Sequence, residues 1–196
     1  QPHNMNKLSK FKIIEESFLL IEKSGWEDFS IDKFAIVKKY KITEVKNFID
    51  NKNELLIEFS KMIDEKVESN IDVKEFENSN VKDNIFELIM MRFDAMTPFK
   101  GGLIRIIHEI KNPIILKEIS HNILESIDFY LEYSNAYDES IFDTVKKKSL
   151  FLIYSYCFKV WLDDDSKELS KTMSELDRLL NYAEKFSKKA KDLFLF

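Results

Sequence analysis

Residues 26–56 read WEDFSIDKFAIVKKYKITEVKNFIDNKNELL, and the spacing of caps and apolar positions in this stretch decides the fold. Ser30 precedes Ile31, Phe34 and Ala35. It can cap a helix over residues 30–39, because its hydroxyl accepts from a first-turn N–H that has no partner inside the helix. Thr43 can cap a second short helix over 43–49. Asn51 followed by Glu54 has the form of a capping box and predicts a longer helix to about residue 69. Two short helices joined by a tight turn are the layout of a helix-turn-helix.

The helical pattern continues on both sides. Phe11, Ile14, Phe18 and Ile21 recur at three- and four-residue spacing, which predicts an amphipathic helix over 6–24 stopped by Gly25. NIDVKEFENSN, residues 70–80, reads as a loop and the best internal boundary. A helix over 81–96 should end before Pro98, since proline disfavours helix at the preceding residue. Gly101-Gly102 permits a sharp bend, and Leu103, Ile106, Ile107 and Ile110 form the next apolar stripe. Pro113 breaks or starts a helix, a turn falls near 134–139, and a long helix runs over about 140–162. With 3 glycines and 3 prolines in 196 residues, the chain lacks the turn residues a β protein needs. The expectation is an all-α protein: a small helix-turn-helix domain over 6–69, a larger antiparallel helical domain over 81–183, and an amphipathic segment over 184–196. Gln1-Pro2-His3-Asn4 ahead of Met5 reads as an expression remnant, so residues 1–5 are set aside.

WLDDDSKELSKTMSELDRLL, residues 161–180, begins with an aromatic and runs into three consecutive aspartates. Side chains of successive helical residues point about 100° apart, so the three cannot converge on one ion from a helix. They are better read as the start of the last helix near Ser166. Asp165 can serve as the N-cap with Glu168 three positions on, or Ser166 can be the cap, and acids there are favoured by the helix dipole.

The charge of −5, from 30 basic and 35 acidic residues, excludes a generally basic nucleic-acid coat and leaves room for a local patch. The lone Cys157 excludes an internal disulfide and suits a reducing compartment. The apolar run Leu150–Leu162 falls short of the ~20 residues a membrane span needs. His108 and His121 lack any metal-type spacing, and there is no phosphate loop, dinucleotide fingerprint or nucleophile elbow. The expectation is a protein that is not an enzyme and holds no metal or cofactor. Arg92 and Asp94 near Pro98 read as local ion pairs, and the Asp177-Arg178 pair as a surface or interhelix salt bridge.

Two resemblances follow from these residues. Residues 26–56 resemble the N-terminal domain of the TetR superfamily of bacterial regulators, with Phe29, Ile31, Phe34 and Ala35 at buried positions and Lys52 and Glu54-Leu55-Leu56 opening the fourth helix. This implies DNA contacts by Lys41, Thr43, Lys46, Asn47 and Lys52, with Lys38 and Lys39 nearby. The sequence departs from that pattern with Lys39 at the turn glycine, Lys46 at a phosphate-contacting tyrosine, and Glu44 and Asp50 flanking the helix. A helix-turn-helix kept for packing alone is the competing reading.

MMRFDAMTPFKGGLIRII (90–107) and FKVWLDDDSKELSKTMSELDRLL (158–180) resemble the ubiquinone-biosynthesis accessory lipid-binding family, coenzyme Q biosynthesis protein nine, whose fold is TetR-like. Arg92 and Pro98 carry the first match; Asp165, Ser166, Thr172 and Leu176-Asp177-Arg178 carry the second. The resemblance implies an isoprenoid lipid or phospholipid as ligand, a membrane surface, and a quinone-modifying hydroxylase as partner. It also implies a cytoplasmic location, peripheral at the inner face of the membrane. Leu103, Ile107, Phe129 and Tyr133, with Phe151, Tyr154, Phe158 and Trp161, offer walls for a lipid pocket, or simply a core. Phe186, Lys189, Leu193 and Phe194 form the candidate membrane contact, and the same helix could instead pack on its own domain or a dimer partner. Leu169, Met173, Leu176 and Leu180 form a seam that suits either a homodimer interface or the monomer's core.

Overall fold

The computed structural model describes residues 7–193. Among them there are ten α-helices and no strand. In chain order these are α1 (Lys10–Ser24), α2 (Ile31–Lys38), α3 (Ile42–Lys46), α4 (Lys52–Ser69), α5 (Val73–Asn78), α6 (Val81–Met96), α7 (Lys100–Glu109), α8 (Pro113–Tyr133), α9 (Asp143–Leu162) and α10 (Ser170–Leu193), with 3-10 turns at Thr97–Phe99 and Lys167–Leu169. Phe194, of the candidate membrane contact, and the remnant residues 1–5 lie outside it; every other predicted site residue lies within the described stretch.

By packing, the chain forms two compact units. Among the described residues, one holds 7–63 together with Met96–Asn122, and the other holds Asp64–Ala95 and 123–193. In the first unit α1 lies along α7. Phe18, Phe59 and Phe99 meet there, with Phe18 and Phe59 stacked at 4.4 Å and Phe99 edge-on to both. The glycines expected to bend the chain instead sit inside α7. A Cβ on Gly102 would come within 2.8 Å of the Phe18 carbonyl oxygen, so the missing side chain lets the two helices approach. Gly25 does end α1, at φ 88°, its N–H donating to Ile21 O.

Two further expectations are corrected. Residues 70–80 are not all loop: Asp72 accepts from Lys74 N and Glu75 N and starts α5, whose Phe76 is buried. α3 starts one residue earlier than predicted and ends at Lys46, with Lys41 rather than Thr43 at its N-cap. The Asn51 box forms as read: Asn51 accepts from Asn53 N and Glu54 N, and Asp50 N donates to Glu54 at 2.6 Å.

In the second unit α9 packs along α10. The aspartate turn between them differs from the expectation. Asp165 is not the cap: Asp164 caps α10, and Ser166, the alternative, is the N-cap of the 3-10 turn, its Oγ accepting from Lys171 N at 3.2 Å. Glu168 and Leu169 take left-handed backbone angles (φ 56° and 54°), which carries the chain back so that Asp164 reaches the first turn of α10. Its carboxylate accepts from Thr172 N at 2.8 Å and Thr172 Oγ1 at 2.7 Å, and from both Ser166 N and Ser166 Oγ. Burial alone would raise this carboxyl, but the four hydrogen bonds outweigh it and hold it well below the usual range.

Candidate functional site

The helix-turn-helix is built around a turn that usually calls for glycine. Lys39 adopts it, at φ 59° and ψ 35°, and Tyr40 N closes the motif on Ala35 O at 2.9 Å. Ile31, Phe34, Ala35, Val45 and Ile49 are buried, and Lys41, Thr43 and Asn47 are exposed. The lysines of this face are largely engaged. Lys41 pairs with Glu44 at 3.5 Å and Lys46 with Asp32 at 3.3 Å. Lys52 Nζ donates to Trp26 O at 3.1 Å and sits 4.8 Å from the centre of the Trp26 ring. Exposed pairs contribute little, ~0–1 kcal/mol, so pairing alone does not block phosphate contact. What counts is the balance: over residues 41–50, Lys41 and Lys46 are matched by Glu44 and Asp50. Ile36 and Val37 on α2, and Ile42 and Phe48, are exposed as well.

One contact near this motif gave no sequence signal. Glu109 accepts from Trp26 N at 2.6 Å, Glu27 N at 2.9 Å and Arg105 Nε at 2.8 Å. The bond from Glu27 N is the largest influence holding its carboxyl below the usual range. It ties the end of α7 to the turn after α1, a link 82 residues long that no local pattern reveals.

The lipid-pocket candidates divide between the units. Leu103, buried, and Ile107, exposed, lie on α7 in the first unit. The other six lie in the second: Phe129 and Tyr133 on α8, and Phe151, Tyr154, Phe158 and Trp161 on α9. There Tyr154, Phe158 and Trp161 run together with Phe93, which stacks on Tyr154 at 5.4 Å and on Trp161 at 5.7 Å. Phe129 meets Tyr133 at 5.6 Å, and Tyr133 meets Phe76. Arg92 stands between these groups. Its Nε donates to Tyr154 OH at 3.0 Å, and its Nη1 donates to Tyr130 OH at 3.3 Å and to Asp64. Ser126 Oγ donates to both Asp64 oxygens, at 2.9 and 3.0 Å. Burial raises Tyr130 to about 12 and also raises Tyr154, so both phenols stay neutral acceptors for the guanidinium. Burial likewise pushes the Cys157 thiol up to about 12, an unreactive core sulfur.

Two recesses open on the described surface. One, about 70 Å³, lies in the first unit between Glu15, Leu19 and Glu22 above Phe18 and Phe99. The other is an open groove of about 470 Å³ between α9 and α10, lined by Tyr156, Val160, Ser170, Lys171, Ser174 and Glu175. None of the eight pocket candidates lines either one.

Of the dimer candidates, Leu169, Leu176 and Leu180 are buried within the chain, so the seam serves the α9–α10 core, and Met173 is exposed. Leu152, Tyr156 and Tyr182 are exposed on the same two helices. Farther along α10 the amphipathic pattern is turned outward. Ala183, Ser187 and Ala190 are half-buried, whereas Tyr182, Phe186 and Leu193 are 62, 71 and 75 % exposed. Lys188 pairs with Glu184 and Lys191 with Asp138, and Lys185 and Lys189 have no ion pair among the described residues. Among the described residues no helix is long and apolar enough to cross a membrane, and no three His, Cys, Asp or Glu side chains are grouped to hold a metal ion.

No protein-family model matches the chain, and no curated protein matches it significantly. Among solved structures it is similar to the TetR transcriptional regulator from Nitrosomonas europaea ATCC 19718, with a TM-score of 0.76 and 18% identity over 91% of this chain and 99% of that one. At that identity the likeness concerns the fold, and with the helix order, the left-handed turn at Lys39 and the absence of strands among the described residues it leads to one conclusion: this chain has an all-α, TetR-like fold.

Proposed function

We propose that the protein is a non-catalytic binder of an apolar, lipid-like ligand that works at a membrane surface, its helix-turn-helix serving mainly as packing. The observation that carries this reading is the outward face of α10, where Tyr182, Phe186 and Leu193 stand in solvent beside Lys185 and Lys189, which have no ion pair among the described residues. Large apolar side chains next to free ammonium groups suit the boundary of an anionic bilayer, where each part gains. The narrower form of the reading follows the sequence resemblance: an isoprenoid lipid or phospholipid as ligand, and a quinone-modifying hydroxylase of ubiquinone biosynthesis as the enzyme assisted, at the inner face of the membrane. A homodimer would use the exposed Leu152, Tyr156 and Met173 along α9 and α10, and size measurement by light scattering tests it. Lipid extraction of the purified protein followed by mass spectrometry tests the ligand; repeated empty preparations that also fail to bind vesicles would sink the reading.

A second reading, a TetR-type DNA-binding regulator responding to an apolar effector, is favoured by the intact turn and the exposed Thr43 and Asn47 at the start and end of α3. Operator selection from a random duplex pool tests it, with affinity expected to fall steeply with salt.

A further inference from the structure

The outer edge of α2 is explained neither by packing nor by contact with DNA. The helix turns Ile31, Phe34 and Ala35 into the core, and all three are buried. Ile36 and Val37 follow directly and are 66 and 59 % exposed, and Ile42, at the start of α3, is 37 % exposed. A lone exposed aliphatic residue is ordinary. Two adjacent ones this far out, with a third just past the turn, make a strip that gains from being covered.

Lys33, Lys38, Lys39 and Lys41 are interleaved with that strip. The charge balance of residues 41–50 does not extend to α2: residues 31–41 hold these four lysines and one acid, Asp32. Asp32 is already paired with Lys46 of α3 at 3.3 Å. Glu16 of α1 accepts from Tyr40 OH at 2.9 Å and lies 3.9 Å from Lys38, a loose pair. Lys33 donates to the Asp28 carbonyl oxygen, and neither it nor Lys39 has an ion pair among the described residues. Duplex phosphates would take the lysines and give Ile36 and Val37 nothing. The boundary of an anionic bilayer rewards both, since branched side chains enter the acyl edge while lysine stems let the ammonium groups reach lipid phosphates.

We infer that this edge of α2, Ile36 and Val37 with Lys33 and Lys39, is a second bilayer contact, distinct from α10, and that its partner is an anionic lipid surface. The inference rests on the membrane reading and adds to it. The helix-turn-helix meets lipid with its first helix, and the charge-balanced α3 takes no part.

The test puts the environment-sensitive fluorophore NBD on Ile36→Cys and, in a second preparation, on Phe186→Cys; Cys157 is fully buried and stays unlabelled. Each is mixed with phosphatidylglycerol vesicles, phosphatidylcholine vesicles and a random DNA duplex. The label at 36 should brighten at least threefold with the anionic vesicles, less with the neutral ones, and not at all with the duplex. On unlabelled protein, Ile36→Asn with Val37→Asn should lower partition into the anionic vesicles at least fivefold, as should Lys33→Gln with Lys39→Gln, with melting temperatures near that of wild type. A label that stays dark at 36 while the one at 186 brightens overturns the α2 contact and leaves the α10 reading standing. Brightening at 36 alone keeps the α2 contact and removes α10 from the membrane, and darkness at both overturns both. Brightening with the duplex and not with vesicles overturns the inference in favour of nucleic acid. Unchanged partition in both double variants also overturns it.

Discussion

The two ends of the described chain carry lysines beside exposed apolar side chains, yet they dispose of them differently. On α2–α3, Lys41, Lys46 and Lys52 are taken up by Glu44, Asp32 and Trp26, and the acids of the face match its bases. On the far part of α10, Lys185 and Lys189 have no ion pair among the described residues, and Phe186 and Leu193 project outward past a half-buried strip of small residues. The difference teaches that a motif's outline and its surface chemistry are separable. The helix-turn-helix has a TetR-like backbone with a charge-balanced face, and the far part of α10 sets exposed apolar side chains beside lysines with no motif at all.

The largest expected effect concerns how α10 is started. Asp164→Ala removes the cap and leaves buried partners on Thr172 and Ser166 unmatched, which should destabilise the protein by about 3 kcal/mol in denaturant unfolding. Because the Asp164 carboxyl titrates lower in the folded chain than in the unfolded one, its contribution is complete above the ordinary aspartate range, near pH ~4, and is lost as pH falls through the lower folded value. Asp164→Asn should therefore flatten the acid limb of a stability–pH curve, and an unchanged limb would show that the cap is not the cause.

Next comes the outward face itself. Phe186→Glu with Leu193→Glu should lower partition into anionic vesicles at least tenfold, about 1.4 kcal/mol or more, with the melting temperature nearly unchanged. A large loss of stability instead would mean that the face packs on something in the protein. At the other end, Lys39→Gly should stabilise the fold by about 0.5 kcal/mol, since lysine bears the left-handed strain that glycine escapes, offset in part by glycine's greater freedom when unfolded. The smallest effect belongs to Lys46→Gln, within about 0.5 kcal/mol of wild type and without influence on vesicle binding. A regulator that reads DNA would instead lose operator affinity with this change.

The architecture was legible because its signals are local. Caps at Ser30 and Asn51, the stop at Gly25 and the periodic stripes sit within one or two turns of what they specify, and the low glycine and proline content excluded the alternative. What the sequence hid depends on distant partners. Asp164 rather than Asp165 caps α10 because two left-handed residues redirect the chain, and no propensity favours Glu168 and Leu169 there. Gly101-Gly102 suggested a bend when only the neighbouring helix explains them. Arg92 was noticed as part of a matched block, but its place among Asp64, Tyr130 and Tyr154 required the folded chain, as did the burial of Leu169, Leu176 and Leu180. Several residues behind the family resemblance, Arg92, Ser166, Thr172 and Leu176 among them, prove to be packing and capping residues, so the resemblance speaks first to shape.

The central claim is that α10 and not α3 meets the protein's large partner. The most direct measurement is sedimentation of the untagged chain with phosphatidylglycerol vesicles, run beside neutral phosphatidylcholine vesicles and a random DNA duplex at the same physiological salt. The account predicts that the protein pellets with the anionic vesicles, less with the neutral ones, and leaves the duplex unbound. Retention by the duplex with no protein in either vesicle pellet would contradict it.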